Sequence, residues 1–199
     1  MHCNPVLPYG KKIFGLAVDI GTTKIASYLL DLSTGETLTK RGAMNPQISY
    51  GEDVVSRIAY AIENIDGRDI LQQRLIETVN LLIEEMCVEL DISATQIVEA
   101  VVVGNTAIHH LFAGLPVKQL GLLPYVPSES NAMNIPAHEL GLNISTGAYV
   151  YMPPNIAGYV GADHMAMILS TGVPEAEDIV VALDIGTNTE ITLAVDGIM

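Results

Sequence analysis

An aspartate placed just ahead of a Gly-Thr pair occurs twice in this chain, as Asp19-Ile20-Gly21-Thr22-Thr23 and as Asp184-Ile185-Gly186-Thr187-Asn188. Each string has the parts of an anion cradle. Glycine lets the backbone approach a ligand, consecutive amides after Gly21 and Gly186 can converge on phosphate oxygens, and the hydroxyls of Thr22, Thr23 and Thr187 add donors. Asp19 and Asp184 stand where a carboxylate can hold Mg²⁺, usually through water. Two such tips facing each other would clamp a polyphosphate in a cleft between two halves of a molecule, the common location of ligand sites. Asp-x-Gly-Thr is also ordinary hairpin chemistry, but its repetition between the same kinds of apolar segment favours the phosphate role. Neither GxxxxGK[ST] nor GxGxxG occurs in the chain, which disfavours a P-loop enzyme or a Rossmann dehydrogenase.

The elements that must carry these tips follow from hydrophobic period. Ile13 to Asp19 is a short β-rich apolar run, and Lys24 to Asp31 a second, so the first tip sits on a β-hairpin. A turn at Asp31-Leu32-Ser33-Thr34-Gly35-Glu36 returns the chain as a third strand, Thr37 to Met44. After Asn45-Pro46 the period changes: Val54, Ile58 and Ile62 share one helical face, and Leu71, Leu75, Val79, Leu82, Met86 and Leu90 form a longer stripe. Ile97 to Val103 is a buried-strand candidate ending at Gly104-Asn105-Thr106, with a helix through Leu111 after it. Residues 114–146, rich in Pro, Gly, Asn and Ser, receive no assignment, and order resumes at Ala148 to Met152. Gly161 to Leu169 has helical spacing, Thr171 to Asp178 is an acidic linker, and Ile179 to Asp184 is another strand. The expected organisation is a first domain over residues 1–177 and, over 178–199, the first hairpin of a second, incomplete one.

Composition narrows the class. The chain has 199 residues, 49% of them hydrophobic, and 23 Asp+Glu against 9 Lys+Arg, a net charge of -14. No basic cluster offsets that charge, so nucleic acid is an unsuitable partner. Two stretches without acidic or basic residues, Ala100 to Val117 and Leu140 to Ala162, are interrupted by Gly, Asn, His or Pro and could not span a bilayer as unbroken apolar helices. Lys11 and Lys12 precede an apolar run that Asp19 ends too early for a signal peptide. Cys3 and Cys87 fit no disulfide framework, redox pair or Cys-rich metal pattern, and the expected location is the reducing cytoplasm.

The paired tips resemble the two phosphate loops of the acetate and sugar kinase, heat-shock chaperone and actin superfamily. Within it, GLAVDIGTTKIASYLLDLSTGE, NPQISYGEDVVSRI, VVVGNTAIHHL, PPNIAGYVGAD and LDIGTNTEI resemble, in that order, the C-terminal ATPase region of ATP-dependent reductive activators of corrinoid proteins. The resemblance runs from about Phe14 to the end of the chain and implies an α/β fold: a ribonuclease H-like (actin-like ATPase) domain with a mixed sheet. It implies ATP and Mg²⁺ as cofactors, a corrinoid protein of a methyltransferase system as partner and a ferredoxin-like electron donor, and it leaves a homodimer open. Carried over residue by residue, Asp19, Gly21, Thr22 and Thr23 resemble the first loop, with Asp19 the metal-side carboxylate, while Asp184, Gly186, Thr187 and Asn188 resemble the second. Glu190 is expected to orient a water or metal, and Lys24 either neutralises phosphate charge or is simply solvated. Gly104, Asn105 and Thr106 are expected at a strand end facing the cleft. Asp163 is either a functional carboxylate or an N-terminal helix cap.

Other polar residues receive structural readings. His109 and His110 point to different helix faces and lack a ligand cluster, so packing and surface roles are expected. Met86, Cys87, Met165 and Met167 are expected to fill core. Tyr50, Glu52, Asp53 and Arg57 read as a cap with an exposed face, or as a partner surface.

Two departures from the family pattern stand out. A cluster needs about four thiolates and the chain has two cysteines, so the iron–sulfur cluster is expected on another domain or partner. Met199 falls only a few residues past the second tip, and a two-stranded hairpin is marginal alone, so the expectation is a fragment, a truncated gene product or a chain completed by another. Three functions compete: ATP-dependent reduction of a corrinoid from Co(II) to Co(I), a small-molecule or sugar kinase with Asp163 as base, and a non-catalytic actin- or chaperone-like nucleotide switch.

Overall fold

A computed structural model describes residues 12–196 and 198–199; Cys3 and Lys11 lie outside the described residues. β1 (Phe14–Ile20) runs antiparallel to β2 (Lys24–Asp31), and β2 antiparallel to β3 (Thr37–Met44), the expected meander. Strand β1 extends one residue past Asp19, so Ile20 pairs with Ile25 directly beneath the Gly-Thr-Thr tip. The chain then crosses over through α1 (Val54–Glu63) and α2 (Gly67–Leu90) to β4 (Ile97–Gly104), which lies parallel to β1. A parallel neighbour requires such a crossover. After α3 (Thr106–Phe112), the stretch that the sequence left unassigned contains β5 (Met133–Pro136) and the single-turn α4 (Ala137–Leu140). Strand β6 (Tyr149–Met152) pairs parallel to β4 and antiparallel to β5. The result is a mixed six-stranded sheet ordered β3-β2-β1-β4-β6-β5.

Alternation decides which face of β1 is buried. Leu16, Val18 and Ile20 sink into the core against Leu71, Leu75, Val79, Leu82 and Met86 of the α2 stripe, while Ala17 and Asp19 occupy the less covered face. Each fully buried Leu or Ile side chain stabilises the fold by about 1.5–3 kcal/mol relative to exposure. Cys87 and Met86 are core residues, as expected. His109 and His110 are both buried, so neither takes a surface role; burial and the neighbouring His110 push the His109 ring down to about 4.

Arg57 departs furthest from expectation. It is fully buried, donating to the carbonyls of Gly51 (2.9 Å) and Thr22 (2.6 Å). Asp53 does cap α1, its Oδ1 accepting from the Ser56 amide at 2.7 Å. No side chain of one residue in a sequence string reveals that the carbonyls it needs lie on another element.

Helix α5 (Ala162–Ser170) leads into β7 (Val180–Ile185) and β8 (Thr189–Ala194), which form a two-stranded sheet of their own. Ile168, Val173 and Ala194 make a small second core between helix and hairpin, with Met167 packed against it. The opposite face of the hairpin is apolar and more than half exposed at Val181, Leu183, Ile185, Ile191 and Leu193. Among the described residues no helix is long and apolar enough to cross a membrane.

Candidate functional site

The carboxyl ends of two parallel strands, β1 and β4, finish side by side, with Asp19 opposite Val103 and Ile20 opposite Gly104. Ligands of open α/β sheets collect at such ends. The first tip leaves β1 here, and three side chains from distant positions hold it. Asn45 donates through Nδ2 to the Gly21 carbonyl at 2.8 Å, Arg57 donates to the Thr22 carbonyl, and Asn105 donates to Thr22 Oγ1 at 3.1 Å. A Cβ on Gly21 would lie 2.9 Å from the Lys24 carbonyl oxygen, so the turn has no room for a side chain.

The second tip faces the first. Thr23 Oγ1 and Thr187 Oγ1 are 3.1 Å apart, although they belong to different sheets. Between the two tips opens a cleft of about 790 Å³, lined by Asp19, Gly21, Thr22, Thr23, Lys24, Asn105, Asp163, Asp184, Gly186, Thr187, Asn188 and Glu190, together with Tyr28, Val103, Ala166, Met167 and Ser170. Twelve of the sequence-nominated residues thus share one wall-to-wall space. Gly104 and Thr106 do not line it. The Thr106 hydroxyl, fully buried, donates to the Ala157 carbonyl at 2.6 Å, and Gly104 lies where a Cβ would meet the Ile20 carbonyl oxygen at 2.8 Å. Both hold the strand end and the following segment rather than facing the cleft.

Asp163 sits in the first turn of α5, where the helix dipole favours an anion, but Gly161 is the capping position and no side chain caps this helix. The choice between cap and cleft carboxylate therefore falls to the cleft. The helix reaches it because Gly161 lets the backbones touch: a Cβ there would stand 2.3 Å from the Gly104 carbonyl oxygen. Met167, expected to be wholly core, shows one side to the cleft.

The electrostatics of the cleft are acidic. Asp19 is pushed up to about 6, first by burial between the cleft walls and then by Asp163 and Asp184. Asp163 and Glu190 are also raised, each chiefly by burial and with the Asp184 carboxylate contributing. Lys24, exposed at the rim, is the only Lys or Arg on the lining among the described residues. Such a set of carboxylates with one cation fits a divalent ion and its phosphate ligand. Asp184 and Glu190 are direct cross-strand partners on β7 and β8, an arrangement that is destabilising for like charges unless a cation lies between them. An iron–sulfur cluster finds no such fit: Cys87 is buried and is the one free cysteine among the described residues.

Sequence reasoning gave Arg57 an exposed or partner-surface role that its burial overturns, and it missed His164. His164, on α5, is buried against the second tip, with Nε2 2.7 Å from Thr192 Oγ1 and Nδ1 3.8 Å from Asp184 Oδ2. Its adjacency to Asp163 was the only local signal.

The mixed six-stranded sheet and its strand order make this an α/β domain of the ribonuclease H-like fold. The chain belongs to the RACo middle region family, whose profile matches residues 14–176. It is 35% identical over 183 residues to the corrinoid activation enzyme RamQ of Eubacterium limosum, covering 92% of this chain and 30% of that protein. It is 28% identical over 192 residues to the [Co(II) methylated amine-specific corrinoid protein] reductase of Methanosarcina barkeri, covering 92% of this chain and 34% of that one. Among solved structures it superposes on a reductive activator for a corrinoid, iron-sulfur protein with a TM-score of 0.92 and 38% identity, over 94% of this chain and 30% of the other. The chain therefore spans about a third of the length of these relatives.

Proposed function

We propose that this chain is a nucleotide-binding portion of an ATP-dependent reductive activator, in which ATP binding and hydrolysis make reduction of a corrinoid protein from Co(II) to Co(I) feasible. The observation that carries the reading is the meeting of two Asp-Ile-Gly-Thr tips, with Thr23 and Thr187 in hydrogen-bond contact across one acidic cleft. Amides after Gly21 and Gly186 receive the polyphosphate oxygens, and Lys24 neutralises part of their charge at the rim. Asp19 and Asp184 would hold Mg²⁺, which would offset phosphate charge. Asp163 orients the attacking water, its raised affinity for protons suiting a general base, and Glu190 orients a water or the metal. Residues 178–199 are the first hairpin of the domain that completes the cleft.

The relatives' names support a corrinoid protein as the acceptor. The electron comes from a ferredoxin-like donor or a cluster-bearing domain, because the cysteines of this chain cannot ligate one. Location in the cytoplasm accords with the free thiol of Cys87.

The test pairs two measurements. A fluorescent ATP analogue titrated into the chain, with and without Mg²⁺, should show Mg²⁺-dependent binding that Gly186→Val removes while the fold persists. In the complete activator, ATP turnover should rise when the corrinoid protein is added, and the Co(I) absorbance should appear only with ATP and a reductant. Absence of both stimulation and cobalt reduction would sink the reading. A kinase of the same fold would instead phosphorylate a small hydroxyl compound without any cobalt change.

A further inference from the structure

A group packed against the second tip is not used by phosphate binding. His164 is 4% exposed, and its Nδ1 is a buried ring nitrogen without a hydrogen-bond partner. A ring nitrogen of His164 and carboxylate oxygens of Asp184 and Glu190 all lie within 4.8 Å of one another, and Nδ1 is 3.8 Å from Asp184 Oδ2. The three residues come from three elements, α5, β7 and β8, so the cluster exists only in the folded chain.

We infer that His164 Nδ1, Asp184 and Glu190 form a divalent-cation site of mixed nitrogen and oxygen ligands, selective for a first-row transition ion such as Mn²⁺ over Mg²⁺. The ring is set up for it. Its Nε2 lies 2.7 Å from Thr192 Oγ1, and a metal-ligating histidine characteristically donates its other ring N–H to such an acceptor, which fixes the tautomer. With Nε2–H donating to Thr192, Nδ1 presents a lone pair. Nδ1 lies 3.8 Å from Asp184 Oδ2, too far for a hydrogen bond. Two facing carboxylates and a lone pair with nothing between them repel, and one divalent ion satisfies all three. Ligand atoms around such an ion sit about 3–3.5 Å apart, so the cluster needs to contract by roughly 1 Å. Three protein ligands leave positions open for water or a phosphate oxygen.

Imidazole nitrogen is the ligand that separates the metals. Mg²⁺ favours an all-oxygen shell and keeps its waters, whereas Mn²⁺ and Zn²⁺ accept nitrogen together with carboxylate. The inference deepens the proposed function, resting on it only in treating Asp184 as a cation ligand; it names the ion class at that tip, and it holds for the nucleotide-free chain.

The experiment is therefore done without nucleotide. Mn²⁺ is titrated into the chain and followed by electron paramagnetic resonance of the free ion, with Mg²⁺ as competitor, and line broadening of the histidine ring signals is read by nuclear magnetic resonance. One Mn²⁺ per chain is expected, displaced by Mg²⁺ only at large excess, with the His164 ring broadened before the other four imidazoles. Thr192→Val should weaken Mn²⁺ binding on the order of 10- to 100-fold, and His164→Leu should abolish the preference for Mn²⁺ while residual carboxylate binding persists. Equal affinity for the two ions, or an unbroadened His164 ring in the unsubstituted chain, overturns the inference even if a variant fails to fold. Nucleotide binding measured in parallel separates the two claims: Mg²⁺-dependent ATP binding without Mn²⁺ selectivity removes this inference alone.

Discussion

Replacing Asp19 with asparagine tests whether the cleft stores charge repulsion for a cation to relieve. The folded protein holds the Asp19 carboxyl at about 6 against an ordinary value of 3.8. At about 1.36 kcal/mol per pH step, that difference corresponds to a ceiling of roughly 3 kcal/mol. Asp19 is exposed to water from the open side of the cleft, and solvent screening reduces the figure to about 1 kcal/mol. The sign follows from linkage: the folded state binds the proton more tightly than the unfolded state, so the favourable contribution is complete below 3.8 and lost as pH rises through about 6. In EDTA, Asp19→Asn should match the wild type at pH 4 and exceed it by about 1 kcal/mol at pH 7. Urea unfolding at pH 4, 5, 6 and 7, with equal m-values, reads the difference. Saturating Mg·ATP should then reverse the order, because a ligand at a hundred times its dissociation constant stabilises the wild type by about 2.7 kcal/mol and the variant by little. A gap that is the same at pH 4 and pH 7, or a variant less stable than wild type in EDTA at pH 7, would refute the argument.

Arg57→Lys keeps the buried charge but cannot span the Thr22 and Gly51 carbonyls together; urea unfolding should show a loss of about 2 kcal/mol, and the loosened tip a weaker nucleotide affinity. Gly161→Ala places a methyl 2.3 Å from the Gly104 carbonyl oxygen and should cost about 1–3 kcal/mol by overpacking, read as a lower unfolding midpoint. Asp163→Asn should lower ATP turnover by roughly 10²- to 10⁴-fold while leaving the nucleotide dissociation constant within about threefold of wild type, as loss of a general base does; single-turnover kinetics beside a binding titration separates the two effects.

Local pattern was enough for a large part of this protein. Strand alternation, the apolar stripe of α2 and the turn chemistry at Asp31–Glu36 depend on neighbours within a few residues, and the structure keeps them with ends moved by a residue or so. The two Asp-Ile-Gly-Thr tips were legible for the same reason, since each is a run of consecutive residues. Residues 114–146 resisted reading because β5 and α4 are short and take their place from pairing with β6, not from period. Tertiary structure alone decided what surrounds the tips. Arg57 became buried because the Thr22 and Gly51 carbonyls needed a donor, and neither is its neighbour in sequence. Asp163 became a cleft residue through a glycine contact between α5 and the end of β4. His164 met Asp184, Glu190 and Thr192 only once the β7–β8 hairpin packed on α5. Burial, charge repulsion and cation affinity depend on distance in space, and the order of residues along a chain does not contain those distances until the chain has folded.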